Sequence, residues 1–302
     1  MEIQIISGFL GVGKTTFLNK YLPLLEGTTV VLENEFGKIN LDSGLIEGDL
    51  PVRELSAGCI CCTLATELRT AIAEIAEKYH PHRILIEPSG VAMLGDIIRA
   101  ASAARLPDGM ELRFTKRITI VDAACFSAYA EGFPFYLEQA ENAGVILLSH
   151  LAKVKEEKKA KVVSELRRIN PRAVIYDGDW RETEGDILLT MIEQSPDLED
   201  AADLRPSDAP ISDDLFSSLS IPAPPKLKAE DPSAFLAALT DGSCGRIVRA
   251  KGYLPCASAT YYIDLTLSGT DFRKTEDESK TGLVIIGSGM DRMKVLGTLK
   301  NS

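Results

Sequence analysis

The sequence predicts an α/β fold, a doubly wound and mostly parallel sheet followed by a small α+β domain. From the N-terminus to about residue 192, short apolar strands alternate with amphipathic helical segments, as they do in sheets that carry helices on both faces. An acidic stretch with several prolines then breaks this alternation, and further short strands and helices follow it. We therefore predict an α/β domain over residues 1–195, a linker over 196–225 and an α+β domain over 226–302.

The composition is that of a soluble globular protein and argues against two classes of partner. Hydrophobic residues make up 45% and charged residues 25% of the 302 residues. The net charge of −11 disfavours binding to nucleic acid or to an anionic membrane, both of which attract basic surfaces. We find no apolar run of membrane-spanning length and no secretory signal, so we expect a cytoplasmic protein.

The first motif is the segment from Gly8 to Thr16, which fits the phosphate-binding pattern G-x-x-x-x-G-K-[ST]. An apolar strand precedes it and a helical pattern follows, so its backbone N–H groups and the helix N-terminus would form a concavity for phosphate. We predict that Lys14 reaches the β and γ phosphates and that the hydroxyl of Thr15 binds Mg²⁺. The alternative is a glycine-rich turn that binds nothing. The predicted nucleotide-binding residues here are Gly8, Gly11, Val12, Gly13, Lys14, Thr15 and Thr16.

The next strand, residues 28–32, leads into a polar stretch rich in carboxylates and glycine. This is where switch-type P-loop proteins carry the loop that senses the nucleotide. Glu35 and Asp42 are the candidate switch carboxylates, and Asp42 is a candidate for the Mg²⁺ site. The alternative is a solvated acidic loop.

Three cysteines, Cys59, Cys61 and Cys62, lie within four residues, just before a predicted helix that runs to about Tyr79. A helix N-terminus lowers the pKa of a thiol and favours the thiolate, the form that binds metal. We expect two or three of these cysteines to bind one Zn²⁺ or another transition metal. Glu35, a water or a residue of a partner would complete the site. The alternative is a cluster of small buried side chains.

The strand at residues 83–86 ends in Glu87-Pro88-Ser89-Gly90. A carboxylate that ends the strand beside the phosphate-loop strand can hold Mg²⁺ through water and position the attacking water. We therefore predict that Glu87 is catalytic, together with Lys14 and Thr15, and that the N–H of Gly90 senses the γ phosphate. The alternative for Glu87 is a carboxylate in an ordinary turn.

Two further strands end near the same edge of the predicted sheet. The strand at 117–121 ends at Asp122, and Cys125 just beyond it is predicted to be a buried core thiol. The strand at 144–148 ends in Ser149-His150-Leu151-Ala152. Ser149 and His150 are candidate contacts to the nucleotide.

With these motifs in view, the chain resembles the CobW-type P-loop GTPases, which are metallochaperones related to the hydrogenase and urease maturation GTPases. The resemblance implies GTP hydrolysis coupled to delivery of Zn²⁺, or of cobalt in corrinoid pathways, to a client metalloprotein. It also implies that Cys59, Cys61 and Cys62 bind the metal, with nucleotide state opening or closing their site. The segments that carry the resemblance are Gly8–Thr16, Glu33–Gly37, Gly58–Cys62 and Glu87–Gly90, with Arg249–Gly252 and Leu283–Gly287 in the C-terminal domain.

The chain departs from this family in two respects. The guanine-reading N-K-x-D should follow the strand at 144–148, where Ala152 now replaces the Asp that accepts hydrogen bonds from the base. GTP and ATP therefore both stay open as substrates. The chain has three histidines and an acidic linker in place of a histidine-rich stretch, which argues against bulk zinc storage.

Two functional hypotheses follow from the sequence. The first is an Mg²⁺-dependent nucleoside triphosphatase that transfers a metal to a client protein, slow by itself because no arginine finger is evident. The second is a nucleotide-binding scaffold or maturation factor for a corrinoid or other metalloenzyme, with little hydrolysis. Either could act as a nucleotide- or metal-dependent homodimer.

Overall fold

The computed structural model describes residues 1–33, 52–54, 63–198, 204, 216–277 and 279–301. The chain divides into two compact units, whose described residues lie within 1–211 and within 212–302. The predicted switch carboxylates Glu35 and Asp42 lie outside the described residues, as do the three predicted metal-binding cysteines, Cys59, Cys61 and Cys62.

The described part of the first unit contains a parallel sheet with the strand order β3-β2-β4-β1-β5-β6-β7. All of its neighbouring strands run parallel, and the central ones are buried on both faces, as their predominantly apolar sequences predict. The α/β fold class is confirmed. The strands are β1 (Glu2–Gly8), β2 (Thr29–Glu33), β3 (Val52–Glu54), β4 (Arg83–Glu87), β5 (Arg113–Asp122), β6 (Val145–Ser149) and β7 (Val174–Tyr176).

Helices connect these strands. The helix predicted to follow the three cysteines is confirmed and buries Leu68, Ile72 and Ile75. Among the described residues, no helix combines the length and the apolar character that crossing a membrane requires. The helices are α1 (Lys14–Tyr21), α2 (Thr63–Tyr79), α3 (Leu94–Ser102), α4 (Phe126–Gly132), α5 (Pro134–Glu141), α6 (Glu156–Ile169) and α7 (Gly185–Glu193).

The winding direction of the sheet reverses at β1. Strand β1 lies between β4 and β5, and from β1 the chain passes beyond β4 to form β2. In open parallel sheets, ligands bind outside the carboxyl ends of the strands where the winding reverses. The loops after β1, β4, β5, β6 and β7 all leave the sheet at this edge.

The described part of the second unit is an antiparallel sheet with two helices. Its described strands have the order β11-β10-β9-β12-β8, and both helices contribute to its apolar core through Phe235, Leu239, Val295 and Leu299. The elements are β8 (Ser217–Ile221), α8 (Ser233–Thr240), β9 (Arg246–Pro255), β10 (Thr260–Thr266), β11 (Gly269–Lys274), β12 (Gly282–Ser288) and α9 (Arg292–Asn301).

The predicted linker over 196–225 contains ordered structure. Strand β8 pairs with β12 along its whole length, so the second unit begins before residue 226. Near the other end, Leu198 pairs with Phe114 through an isolated bridge. Serine favours strands weakly, and the three serines of β8 lie among prolines and acidic residues, which explains why the composition suggested a linker.

Asn170 is a buried hydrogen-bonding centre that joins the end of α6 to the start of β7. Its Nδ2 donates to the carbonyl oxygens of Ala140 at 2.9 Å and Ala143 at 2.8 Å. Its Oδ1 accepts from the backbone N–H groups of Arg172 at 3.2 Å and Ala173 at 3.1 Å. This one side chain therefore satisfies backbone groups of two separate loops at the amino edge of the sheet.

Replacing Asn170 with Ala should lower the free energy of unfolding by about 2–3 kcal/mol, because buried backbone groups would lose their partners. The measurement is urea unfolding followed by far-UV circular dichroism. Gln194→Ala, at an exposed position, serves as the control and should leave the midpoint unchanged. An Asn170→Ala midpoint equal to that of the parent would contradict this role.

Candidate functional site

The glycine-rich loop joins β1 to α1 and wraps around the start of the helix. Gly13 immediately precedes α1 with a φ of 103°, a left-handed conformation that glycine adopts without strain. Lys14 is only 7% exposed, and its Nζ donates to the carbonyl oxygen of Phe9 at 3.1 Å. The side chain of Lys14 thus crosses the loop on its buried side.

The side chain of Phe9 anchors this loop in the hydrophobic core. Its ring centroid lies 4.5 Å from that of Tyr129 and 5.3 Å from that of Phe133. Phe135 and Tyr136 lie at 5.9 Å and 6.0 Å. Aromatic rings at these separations attract one another beyond simple burial. The loop is therefore fixed to α4 and α5.

Thr15 and Glu87 meet at the carboxyl edge of the sheet. Glu87 ends β4, which pairs directly with β1, and its side chain is 6% exposed. The hydroxyl of Thr15 donates to Oε1 of Glu87 at 3.2 Å. A hydroxyl and a carboxylate oxygen are hard ligands of the kind that Mg²⁺ prefers. The two predicted Mg²⁺ residues are thus adjacent in space.

The segment after Glu87 packs against the glycine-rich loop. A Cβ added to Gly90 would lie 2.7 Å from the backbone N of Leu10 and 2.9 Å from the carbonyl carbon of Phe9. Nε2 of Gln139 donates to the carbonyl oxygens of Gly90 at 3.3 Å and Ala92 at 2.8 Å. Glycine is required at position 90 because the two backbones come so close.

Glu138 holds the beginning of α3 from the neighbouring helix α5. Its carboxylate accepts the N–H groups of Leu94 and Gly95, both at 2.7 Å, and the side-chain amide of Asn142 at 2.8 Å. Burial raises the pKa of Glu138, and these hydrogen bonds oppose the shift. A carboxylate at a helix N-terminus interacts favourably with the helix dipole. Glu138 therefore fixes the start of α3, which follows the segment that contains Gly90.

Asp122 organises the ends of β5 and β6. Its Oδ1 accepts the N–H groups of Ala124 at 2.8 Å and Cys125 at 3.1 Å, and its Oδ2 lies 2.9 Å from Nδ1 of His150.

The prediction of a buried core thiol at Cys125 is wrong, because this residue precedes α4 and is only partly buried. Burial first and the Asp122 carboxylate second raise the pKa of Cys125.

The two residues predicted to contact the nucleotide after β6 have different environments. Ser149 is fully buried, and its hydroxyl donates to the carbonyl oxygen of Val121 at 3.4 Å. His150 follows in a left-handed conformation with a φ of 57°, which directs its ring to Asp122. The side chain at Ala152 offers no hydrogen-bonding group to a base. The roles of Ser149 and His150 in nucleotide binding remain predictions.

The loop after β7 also reaches the glycine-rich loop, which the sequence did not indicate. Trp180 is fully buried and lies edge-on to Phe17 of α1, with centroids 5.5 Å apart. The guanidinium of Arg181 lies over the Trp180 ring, 4.5 Å from its centroid. A Cβ added to Gly13 would lie 3.1 Å from a terminal nitrogen of Arg181. In the sequence, the feature that could have indicated this contact is Arg181 beside Trp180, the single tryptophan of the chain, after the last strand of the sheet.

The predicted transition-metal site lies outside the described residues. Within the residues described, no three His, Cys, Asp or Glu side chains cluster in a way that could hold a metal ion. Binding of a metal by Cys59, Cys61, Cys62 and Glu35 therefore stays a prediction.

This geometry defines a class of protein. A glycine-rich loop leaves the central parallel strand, and its buried lysine and helix-starting threonine lie beside a carboxylate from the adjacent strand. These features are those of a P-loop nucleotide-binding protein.

The family follows from sequence comparison. Residues 2–177 match the family described as "CobW/HypB/UreG, nucleotide-binding domain", and the chain belongs to this family. The predicted resemblance to CobW-type P-loop GTPases is confirmed.

The chain is also similar to several curated proteins. The chain is 32% identical over 206 residues to the zinc chaperone YjiA of Escherichia coli (strain K12), covering 64% of this chain and 60% of that protein. It is 33% identical over 134 residues to the zinc chaperone CobW of Sinorhizobium sp, covering 41% and 37%. Identity to the zinc-regulated GTPase metalloprotein activator 1 of Dictyostelium discoideum is 28% over 213 residues, covering 57% and 44%. In each case the match spans less than two thirds of the relative's length.

Among solved structures, the chain is similar to the Zn(II)-bound YjiA GTPase from E. coli. The sequence identity is 21% and the TM-score 0.43, and the match covers 99% of this chain and 98% of that chain. The family assignment rests on the sequence match and not on this weak structural similarity.

Replacing Gly90 with Ala should lower the free energy of unfolding by about 1–3 kcal/mol, because the new Cβ would overlap the backbone at Leu10. Urea unfolding measures the change. Gly297→Ala is the matched control, since a Cβ at that helical position meets nothing within 4 Å, and it should be neutral or stabilising. Equal midpoints for Gly90→Ala and the parent would show that the two segments are not in close contact.

Proposed function

We propose that the protein is an Mg²⁺-dependent nucleoside triphosphatase that delivers zinc to a client metalloprotein. The observation that carries the proposal is the arrangement at the start of α1, where Lys14 spans the loop and the hydroxyl of Thr15 meets the carboxylate of Glu87 at 3.2 Å. Membership of the CobW/HypB/UreG family supports it.

Each residue at this edge of the sheet has a separate role in the proposed reaction. Lys14 would stabilise negative charge on the β and γ phosphates, and the loop N–H groups would bind the phosphate oxygens. Thr15 and Glu87 would hold Mg²⁺, which neutralises the charge that develops on the phosphates during transfer. Glu87 would also orient the attacking water, and the N–H of Gly90 would sense the γ phosphate. Asp42 remains a candidate for the same Mg²⁺ site.

Zinc is the proposed cargo, with Cys59, Cys61 and Cys62 as its ligands and Glu35 as a candidate fourth. The relatives named as zinc chaperones support this choice of metal, and the clustering of three cysteines supports the choice of residues. Cobalt remains a prediction from the family resemblance alone.

The setting of this activity is also part of the proposal. The P-loop domain would perform the nucleotide chemistry. Because nucleoside triphosphates and reduced thiols are both found in the cytoplasm, we place the protein there. We further propose a homodimer that depends on nucleotide or metal.

The second candidate function is a nucleotide-binding scaffold with little hydrolysis. The loop after β6 favours it, because the Ser149 hydroxyl bonds within the sheet and Ala152 lacks the carboxylate that reads guanine. On this alternative, the nucleotide sets the shape of the protein and is not consumed.

Hydrolysis distinguishes the two functions. We expect slow release of phosphate from GTP or ATP with Mg²⁺, and a loss on the order of 100-fold or more in Lys14→Ala, because the variant lacks the charge that stabilises the transferred phosphoryl group. Phosphate release is measured with and without Zn²⁺, and Lys155→Ala, at an exposed position, is the control. Hydrolysis that is absent in the parent, or unchanged in Lys14→Ala, would favour the scaffold.

Zinc binding by the purified protein tests the proposed metal site. The purified protein should bind Zn²⁺ stoichiometrically, and the triple variant Cys59→Ser, Cys61→Ser, Cys62→Ser should lose that binding because serine is a poor zinc ligand. Competition with a chromophoric chelator measures it. The double variant Cys244→Ser, Cys256→Ser, which alters thiols buried in the second unit, serves as the control. Equal zinc binding by the triple variant and the parent would place the site elsewhere.

A further inference from the structure

The loop between β7 and α7 is a tightly hydrogen-bonded turn. The carboxylate of Asp179 accepts the N–H of Arg181 at 3.0 Å, and its carbonyl oxygen accepts the hydroxyl of Thr183 at 2.9 Å. Thr183 also contacts the hydroxyl of Tyr176 at 2.6 Å. Nζ of Lys20, in α1, donates to the carbonyl oxygen of Arg181 at 2.6 Å. The turn is therefore fixed both internally and to the helix that follows the glycine-rich loop.

The guanidinium of Arg181 is positioned by an aromatic ring and not by a carboxylate. It stacks on the buried ring of Trp180 at 4.5 Å, and a terminal nitrogen lies beside Gly13. Across the part of the chain that the structure describes, this guanidinium forms no ion pair and its N–H groups have no hydrogen-bond acceptor. Its planar set of donors is thus oriented next to the phosphate loop and available to a ligand.

Arg181 lies in the loop after β7, beside the loop that follows β6. Strands β6 and β7 are parallel neighbours, so the loops that follow them leave the same edge side by side. The β6 loop supplies no carboxylate at Ala152. The edge of guanine that carries O6 and N7 presents two acceptors to a guanidinium, whereas adenine carries an amino group at position 6. A fixed arginine therefore favours a 6-oxopurine over adenine.

We propose that Arg181 reads the base of the bound nucleotide by donating to O6 and N7 of a 6-oxopurine. This inference rests on the proposed function, since it requires a nucleotide in the P-loop. It has a second consequence. Ala152 cannot accept the 2-amino group of guanine, so the site should bind guanine and hypoxanthine nucleotides equally.

The experiment is isothermal titration calorimetry with GDP, IDP and ADP in the presence of Mg²⁺. The full chain is compared with Arg181→Ala, Arg181→Lys and the control Arg172→Ala. Arg172 is exposed and precedes β7, at the opposite end of that strand. Far-UV circular dichroism and urea unfolding establish that each variant is folded.

The parent should bind GDP and IDP with similar affinity and ADP more weakly. Arg181→Ala should weaken GDP and IDP binding about tenfold or more and change ADP binding less than about twofold. Arg181→Lys should lose the same preference, because an ammonium group cannot donate two parallel hydrogen bonds. Arg172→Ala should match the parent.

The other outcomes overturn the inference in distinct ways. An equal loss for GDP, IDP and ADP, rescued by Arg181→Lys, would identify a phosphate contact instead of a base contact. No loss for any nucleotide would place Arg181 outside the site. A parent chain that binds none of the three would refute the proposed function itself, and the inference with it.

Discussion

The burial of Phe9 within an aromatic cluster is the interaction on which the nucleotide site depends. Its backbone carbonyl receives the Lys14 ammonium, while its ring packs against Tyr129 and Phe133. Three of the six residues from Gly8 to Gly13 are glycines, and glycine loses more conformational freedom on folding than any other residue. Phe9, together with the buried side chains of Leu10 and Val12, offsets that cost by joining the loop to the core.

Helix α5 extends this constraint to the neighbouring loops. Besides Phe135 and Tyr136, which contact Phe9, it carries Glu138, whose carboxylate fixes the start of α3. It also carries Gln139, whose amide holds the Gly90 segment and whose carbonyl oxygen accepts the hydroxyl of Thr119 in β5. A single eight-residue helix thus sets the positions of the loops after β1 and β4 together, so their geometry is coupled through packing.

The sequence predicted the motifs that are contiguous in the chain, but it did not indicate the contacts between residues that lie far apart in the chain. Gly8–Thr16 and Glu87 were found because each motif is contiguous, and the proximity of Glu87 to Thr15 followed from the order of parallel strands. Helices α4 and α5 were not predicted. The supporting roles of Glu138 and Gln139 were not predicted either, because their hydrogen-bond partners lie more than forty positions away in the chain. The same holds for Asp122 and Arg181, whose importance depends on contacts between loops. Short β3 and the serine-rich β8 were missed because neither has a distinctive apolar pattern.

The burial of Trp180 has a spectroscopic consequence. The chain contains one tryptophan, fully buried against α1 and beneath the guanidinium of Arg181. Tryptophan emission therefore arises from one place, next to the glycine-rich loop, in the first unit alone. This emission reports on the first unit, whereas circular dichroism reports on both, so the two methods together resolve whether the units unfold in one transition or two.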